Sequence, residues 1–432
     1  MGGDCRPHGI RLPRHVGDGV RVDWVRYRVP VALFIAALIL RLSWVLLSGA
    51  NALASSDDAK AYHDLAVNLV QRHQFVTAKD PPHSLDVPYA TRPPLTPFAL
   101  ALVYLVFGPH LLAGQVLLAL IGALAVTALY FLGRQLFSEA VGMLAGVLAA
   151  VYPFFVFLSA LPLTENLAIL LYTLLALLLT RGSKHLTIKH AALVGGLLGL
   201  AALNRPQILG FLPFLALLVV LDKQRSWRDR IKWMAVATAC SAATLTPWLI
   251  RNHRVVGGWF PVSLQGGAVL YQGNNPYSQT ALTKLSNGAR GWYNDPRLGS
   301  DLAGLTPLET DRQAFHLAVD FMRQHPSQTF LYSVQKVGIF FRAYDNLVAR
   351  ASWYPLLVLG LVGFFWTLKH WRRLLPVYVL IFQTLLTAAI YTSMPRFRAP
   401  VEPFFLLFAA YGLHRIWKRA EAPLPRMARS DS

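Results

Sequence analysis

Acidic residues and cysteines are scarce in this 432-residue chain. It has 21 aspartates and glutamates against 41 lysines and arginines, and only 14% of its residues are charged, whereas about a quarter is usual in soluble domains. Cys5 and Cys240 cannot build a disulfide framework, and no CxxC or Cys/His spacing predicts a zinc site. An ordinary soluble domain and a disulfide scaffold are therefore excluded.

Apolar residues dominate instead and make up 55% of the chain. The net charge of +20 would suggest nucleic-acid binding in a soluble protein. Here, however, the basic residues are spread between apolar runs and do not cluster with aromatic residues along one surface. We therefore predict an all-α polytopic membrane protein that does not bind nucleic acid.

A helix needs about 20 apolar residues to cross roughly 30 Å of hydrocarbon. We predict ten membrane spans, over residues 29–49, 112–133, 140–160, 163–180, 190–204, 207–221, 232–250, 351–368, 374–393 and 399–417. The apolar stretch 95–107 reaches only about 20 Å at the helical rise of about 1.5 Å per residue. We therefore predict an interfacial or re-entrant helix there.

The distribution of basic residues tests this count, because basic loops favour the cytoplasmic side. With ten spans, the N-terminal tail, the loops RGSKHLTIKH, KQRSWRDRIK and KHWRR, and the C-terminal HRIWKRA all fall on one side. The first apolar run is too long for a cleaved signal peptide and is predicted to be a signal anchor. The predicted organisation is a cytoplasmic tail (1–28), a membrane module (29–250) with a first outer loop (50–111), an outer loop and helix region (251–350), the last spans (351–417) and a second cytoplasmic tail (418–432).

Most polar residues beside the apolar runs then collect at the outer ends of spans. These are Asp57, Asp58, Arg92, Glu165, Arg205, Arg251, Asn252, Arg396, Arg398 and Glu402. A transporter would be expected to place its charges near the midplane of the bilayer. One-sided clustering favours an active site at the outer interface, while a transporter or flippase of lipid-linked sugars and an assembly subunit remain alternatives.

The adjacent pair Asp57 and Asp58 is the strongest candidate, because ionisable residues at the hydrocarbon edge are costly to keep. A partly desolvated carboxylate can act as a general base toward a hydroxyl or amine. Arginines at headgroup depth can hold a phosphate leaving group. The alternative is that the pair caps the helix that starts near Ala59 and complements its dipole.

Three further residues carry alternatives of their own. Arg41 lies about 18 Å into its helix, so it either snorkels to the headgroups or pairs with one of the outer carboxylates. Glu165 in PLTEN either caps the next span or contacts substrate. Arg205 lies in the turn NRPQ between two short spans. Its counterion is predicted to be the phosphate leaving group of a lipid donor or the headgroup of a bilayer lipid.

The second half of the chain adds two features. Arg396 and Arg398 in MPRFRAP are predicted to form a fork for the donor phosphate. Residues 307–346 are predicted to include an amphipathic helix that lies in the outer interface. The turn-forming segments at Gly266 and Gly267 and at GNNP allow close approach to a sugar or are an ordinary surface loop.

The order of motifs along residues 29–417 resembles the bacterial glycosyltransferase family 39 group. The motifs are LRLSWVL, DDAKAYHDLA, TRPPLTPFALALVYLVFG, PLTENL, NRPQ, TPWLIRN, VSLQGGAVLYQGNNP and RFRAPVEPFFLLFAAYGL. These are integral-membrane enzymes of the GT-C fold, similar to dolichyl-phosphate-mannose protein mannosyltransferases and the lipid A aminoarabinose transferase. The resemblance implies an inverting sugar transfer from a polyprenyl-phosphate donor to an acceptor on the extracytoplasmic face of a bacterial inner membrane.

The resemblance also implies roles for residues. Asp57 matches the carboxylate that activates the acceptor, whereas Asp58 stands where the family more often has glutamate, which leaves open which of the two is the base. The predicted substrate-binding residues are Arg41, Tyr62, Arg92, Glu165, Arg205, Arg396 and Arg398, with Lys336 and Arg342 as candidate matches for basic residues near the donor phosphate.

The predicted partners are the bilayer, the lipid-linked sugar and an acceptor that is a glycan, a lipid or a protein. Two adjacent carboxylates could hold a divalent cation, but no third ligand stands near them in the sequence. We therefore predict no obligatory metal or other cofactor.

Overall fold

The computed structural model describes residues 24–49, 51–78, 89–181, 187–278 and 304–420. Most of the two predicted basic tails, with Cys5, lies outside the described residues. So do residues 182–186 of the basic loop RGSKHLTIKH and residues 279–303 of the predicted outer region.

The described chain is almost entirely helical, as the sequence predicts. The helices are α1 (Trp24–Ser48), α2 (Asn51–Ala54), α3 (Asp57–Gln71), α4 (Leu95–Phe107), α5 (Leu111–Leu136), α6 (Glu139–Val151), α7 (Pro153–Leu158), α8 (Glu165–Leu179), α9 (Ile188–Asn204), α10 (Leu212–Leu221), α11 (Trp227–Val256), α12 (Gly266–Gly273), α13 (Pro307–Gln324), α14 (Pro326–Phe341), α15 (Leu347–Thr367), α16 (Trp371–Ile390) and α17 (Glu402–Ala420). Short 3₁₀ turns occupy Pro206–Phe211, Leu368–His370 and Pro395–Arg398.

Each of the ten predicted spans overlaps with helix, although 140–160 is divided between α6 and α7 and 207–221 begins in a 3₁₀ turn. Within the described residues, four helical stretches are long and apolar enough to cross a bilayer: Tyr27–Ser48, Leu111–Leu136, Trp227–Val256 and Leu347–Ile390. The last of these contains both α15 and α16, and shorter apolar helices accompany them. The class of multi-pass, all-α membrane protein is confirmed, and the number of ten spans stays a prediction.

Small residues allow the helices to pack closely, as is usual for helices in lipid. A Cβ atom added to Gly133 of α5 would lie 2.8 Å from the Cα of Gly142 in α6. A Cβ atom added to Gly199 of α9 would lie 2.6 Å from the Cβ of Thr244 in α11. These contacts require glycine on α5 and α9.

Polar segments meet at one end of this bundle. Side-chain contacts there join the start of α3, the segment before α4, the start of α8, the turn after α9 and the 3₁₀ turn before α17. At the other end, Arg373 at the start of α16 donates to the carbonyl of Gln135 at the end of α5. The end where the polar segments meet corresponds to the predicted outer face.

Candidate functional site

The aspartate pair lies in the first turn of α3, where the helix dipole favours negative charge. The N-cap is Ser56, whose hydroxyl accepts a hydrogen bond from the backbone N–H of Ala59 at 3.3 Å. Neither aspartate is therefore needed as the cap. The side chain of Asp57 is 48% exposed, and its Oδ1 lies 3.0 Å from Nζ of Lys60. Asp57 is thus open to solvent.

Asp58 is held by two arginines. Its Oδ1 lies 2.8 Å from Nη1 of Arg92, and its Oδ2 accepts a hydrogen bond from Nη2 of Arg396. Burial alone would raise the pKa of Asp58, but the charges and hydrogen bonds of Arg396 and Arg92 outweigh it and hold that pKa well below the usual range. Asp58 is therefore ionised and engaged.

Arg396 connects Asp58 to a second, buried carboxylate. Its Nε lies 3.9 Å from Oε1 of Glu165, and Nη2 of Arg205 lies 2.6 Å from the same oxygen. Nε of Arg205 also donates to the hydroxyl of Thr164 at 3.0 Å. The counterion of Arg205 within the described chain is therefore Glu165.

These contacts define the arginine cluster: Arg92, Arg205 and Arg396 with Asp58 and Glu165. Three guanidinium groups face two carboxylates, which leaves one positive charge in excess, and the neighbouring Asp57 and Lys60 pair adds none. Nε of Arg396 is buried and has no hydrogen-bond partner among the described residues. An unpaired buried donor is costly, so this nitrogen is suited to one further acceptor such as a phosphate oxygen.

Two tyrosines border the cluster. The guanidinium carbon of Arg92 lies 5.5 Å from the ring centroid of Tyr62, which sequence analysis included. Burial, opposed by the charge of Arg92, raises the pKa of Tyr62 to about 12. Tyr344 was not among the residues predicted from the sequence. Burial also raises the pKa of Tyr344 to about 12, while the charge of Arg396 opposes this rise and that of Glu165 adds to it. Both phenols stay protonated at neutral pH.

Asn204 is a second residue that sequence analysis missed. It is fully buried, donates to the carbonyl of Thr164 at 2.9 Å and accepts from the hydroxyl of Thr96 at 2.9 Å. These bonds tie the end of α9 to the starts of α4 and α8. An asparagine next to Arg205, at the end of the apolar run 191–203, was the available signal.

The prediction that Arg41 snorkels or pairs with a carboxylate requires correction. Arg41 is buried, and its guanidinium donates to the carbonyls of Ala37, Ala149 and Ala150. Pro153 ends α6 early and leaves the carbonyls at its last turn without helical partners. Gly122 makes room, since a Cβ there would lie 2.7 Å from Nε of Arg41. Arg41 therefore pairs with carbonyls at the end of α6, and no ion pair between Arg41 and a carboxylate is found among the described residues.

The predicted fork of Arg396 and Arg398 also requires correction. Arg398 is buried, pairs with Glu402, and donates to the carbonyls of Phe340 and Arg342. Its guanidinium lies 3.9 Å from the ring centroid of Trp353. Residues two apart in a 3₁₀ turn point about 120° away from each other, so only Arg396 faces the cluster.

The structure gives the two remaining basic residues other partners. Lys336 is fully buried, and its Nζ lies 3.1–3.2 Å from four oxygens, those of Gly273, Asn274, Ile390 and Tyr391. Arg342 is partly exposed, and its Nη2 lies 3.4 Å from Oδ1 of Asp345. Neither side chain has a contact with the arginine cluster among the described residues, and the role of both near a donor phosphate stays a prediction.

In the part of the chain that the structure describes, no group of three or more His, Cys, Asp or Glu side chains comes together as a metal site. The prediction that no metal is obligatory stays a prediction.

Comparison with known proteins gives a family match over part of the chain and a fold for most of it. A family model described as dolichyl-phosphate-mannose-protein mannosyltransferase matches residues 91–250, which include Arg92, Glu165 and Arg205. No match among curated protein sequences reaches significance.

Several solved structures resemble most of the chain. The archaeal oligosaccharyltransferase AglB from Archaeoglobus fulgidus, in complex with an inhibitory peptide and a dolichol-phosphate, is 15% identical with a TM-score of 0.53, covering 94% of this chain and 53% of that one. The apo form of the Archaeoglobus fulgidus oligosaccharyltransferase is 17% identical with a TM-score of 0.56, covering 92% and 52%. ArnT from Cupriavidus metallidurans bound to undecaprenyl phosphate is 14% identical with a TM-score of 0.42, covering 90% and 79%.

The present chain spans about half the length of the archaeal chains. Their likeness to it shows a shared GT-C fold. Together with the family match, it supports the GT-C glycosyltransferase group that the motifs indicate.

Proposed function

We propose that this protein is an inverting glycosyltransferase that moves a sugar from a polyprenyl phosphate to an acceptor at the extracytoplasmic face of a bacterial inner membrane. The observation that carries the proposal is the arginine cluster, with its excess positive charge and the Nε of Arg396 that has no hydrogen-bond partner among the described residues. The dolichol-phosphate bound to the archaeal relative supports a lipid phosphate as the ligand.

The transfer step follows from the charges. Asp57 takes a proton from an acceptor hydroxyl or amine, and the acceptor atom attacks the anomeric carbon on the face opposite the phosphate. The bond between that carbon and the phosphate oxygen breaks, its electron pair stays on the oxygen, and the configuration inverts. The phosphate changes from a singly charged diester to a monoester of higher charge, which Arg92, Arg205 and Arg396 stabilise as it develops.

The environments of the two aspartates divide their roles. Asp58 is bound to two arginines and its pKa is low, so it is a weak proton acceptor that positions Arg92 and Arg396. The side chain of Asp57 is half exposed, so an acceptor can approach it from solvent. Asp57 is therefore assigned as the base.

The direct test uses the purified full-length protein in lipid nanodiscs with a synthetic polyprenyl-phosphate sugar and an extract of envelope glycans, lipids and proteins as the source of acceptor, with and without EDTA. Release of polyprenyl phosphate in both conditions is expected. Movement of intact donor between leaflets of proteoliposomes, without release of polyprenyl phosphate, would identify a flippase instead. Mass spectrometry of envelope glycans, lipids and proteins from a deletion strain would identify the sugar and the acceptor.

A further inference from the structure

A groove of about 760 Å³ opens at the end of the bundle opposite the arginine cluster. We call it the basic groove, and the residues that matter here are Phe137, Lys369, Arg372, Arg373, Tyr411 and Lys418. The helix α16 runs from this groove toward the turn that holds Arg396, and its 20 residues span about 30 Å. The groove is therefore a separate place in the molecule.

We propose that the basic groove binds the phosphate headgroup of an anionic phospholipid from the cytoplasmic leaflet. Lys369, Arg372 and Arg373 come from the turn between α15 and α16, and Lys418 comes from the last turns of α17. None of the described residues that line the groove is acidic. Arg373 also donates to the carbonyl of Gln135, which fixes one wall.

A neighbouring basic loop on the same face provides a contrast. In the segment 222–232, Nε of Arg225 lies 3.9 Å from Oδ2 of Asp222, and Asp229 interrupts the run of basic residues. That loop satisfies the preference for positive charge on the cytoplasmic side while carrying its own counterions. Among the described residues, Lys369, Arg372 and Lys418 form no such ion pair.

The apolar parts of the groove favour a lipid over a soluble anion. The rings of Phe137 and Tyr411 stack with centroids 4.4 Å apart, and they form an apolar wall beside the cations. Trp371 and Trp417 are 48% and 68% exposed at the same end of the bundle. Exposed tryptophans are typical of the depth at which lipid headgroups lie. A headgroup phosphate can meet the cations while its glycerol and acyl chains cover the rings and the tryptophans.

The test is native mass spectrometry of the full-length protein in detergent, titrated with phosphatidylglycerol or with phosphatidylcholine. Lys369→Gln with Arg372→Gln removes two groove cations, and Arg228→Gln with Lys232→Gln removes two exposed cations of the neighbouring loop as a matched control. We expect retention of phosphatidylglycerol over phosphatidylcholine by the wild type and the control. The groove variant should bind phosphatidylglycerol at least about tenfold more weakly.

Inorganic phosphate forms a separate arm of the same titration. Competition by phosphate at concentrations similar to the lipid would show that the site takes a free anion and would overturn the lipid proposal. Equal phosphatidylglycerol binding by the groove variant and the control would overturn the site itself. Circular dichroism of both variants with wild-type spectra would show that a loss of binding is not a loss of fold.

Discussion

The guanidinium of Arg396 donates a hydrogen bond to the carboxylate of Asp58, although the two residues stand 338 positions apart in the chain. The same guanidinium approaches Glu165 at the start of α8. The first outer loop and the turn before the last helix therefore form one site, and Arg396 is its centre.

Replacing Arg396 should impair transfer severely. We expect Arg396→Ala to lower kcat/KM for the lipid donor by at least about 100-fold, because it removes a charge that stabilises the leaving phosphate. Arg396→Lys should recover little of this loss, since an ammonium cannot contact both carboxylates with a planar fork. Arg350→Ala, which removes an exposed ion pair with Asp345, is the control and should leave turnover near wild type. Wild-type turnover in Arg396→Ala would contradict the role.

The low pKa of Asp58 predicts a pH dependence of stability. The carboxyl group is ionised in the folded protein to a lower pH than in the unfolded chain, where its pKa is about 3.9. Its contribution is therefore complete above about pH 4 and is lost as the pH falls toward the folded pKa. Thermal melts in detergent should show Asp58→Asn less stable than wild type by a constant margin from pH 5 to 8. A margin that narrows within that range would contradict the assignment.

Much of the arginine cluster could be predicted from the sequence, because its residues stand next to the ends of apolar runs. Asp57 and Asp58 stand out as an acidic pair at the edge of an apolar run, and Glu165 and Arg205 stand at the ends of predicted spans. The structure places Asp58, Arg92, Glu165, Arg205 and Arg396 together. Their pairing could not be read from the sequence, since it depends on which helix ends meet.

The predictions that require correction concern side-chain direction. The depth of Arg41 in its helix indicated that it needs a partner. Its partners are carbonyls at the end of α6, and the sequence does not show that this end packs beside Arg41. In the sequence Arg398 is equivalent to Arg396, because only the 3₁₀ turn that contains both determines where each side chain points. The role of Lys336 near a donor phosphate stays a prediction, since its charge is visible in the sequence whereas its four oxygen partners are not.

Lys336 is expected to stabilise the fold by joining α12 to the end of α16. Lys336→Met should lower the free energy of unfolding by roughly 3 kcal/mol, because buried oxygens lose their donor. Lys232→Met, an exposed lysine of the opposite face, should have little effect. Denaturant unfolding monitored by tryptophan fluorescence would measure both. If Lys336→Met leaves the stability unchanged but weakens donor binding, Lys336 binds the donor and does not serve to stabilise the fold.

Topology can be tested by cysteine labelling in intact cells. In a chain with Cys5 and Cys240 replaced by serine, Ser55→Cys should react with a membrane-impermeant maleimide from the outside, because Ser55 is exposed just before α3. Lys232→Cys should react only after the membrane is permeabilised. The reverse pattern would place the arginine cluster on the cytoplasmic side.

The central claim is that Asp57 takes the acceptor proton while the arginine cluster holds the phosphate of the donor. The most direct measurement compares Asp57→Asn with wild type in nanodiscs, recording both transfer from a labelled polyprenyl-phosphate sugar and binding of that donor. We predict that turnover falls at least about 100-fold while donor affinity changes little, because Asp57 acts on the acceptor proton whereas Arg92, Arg205 and Arg396 hold the phosphate. Full turnover by Asp57→Asn in a correctly folded protein would contradict the account.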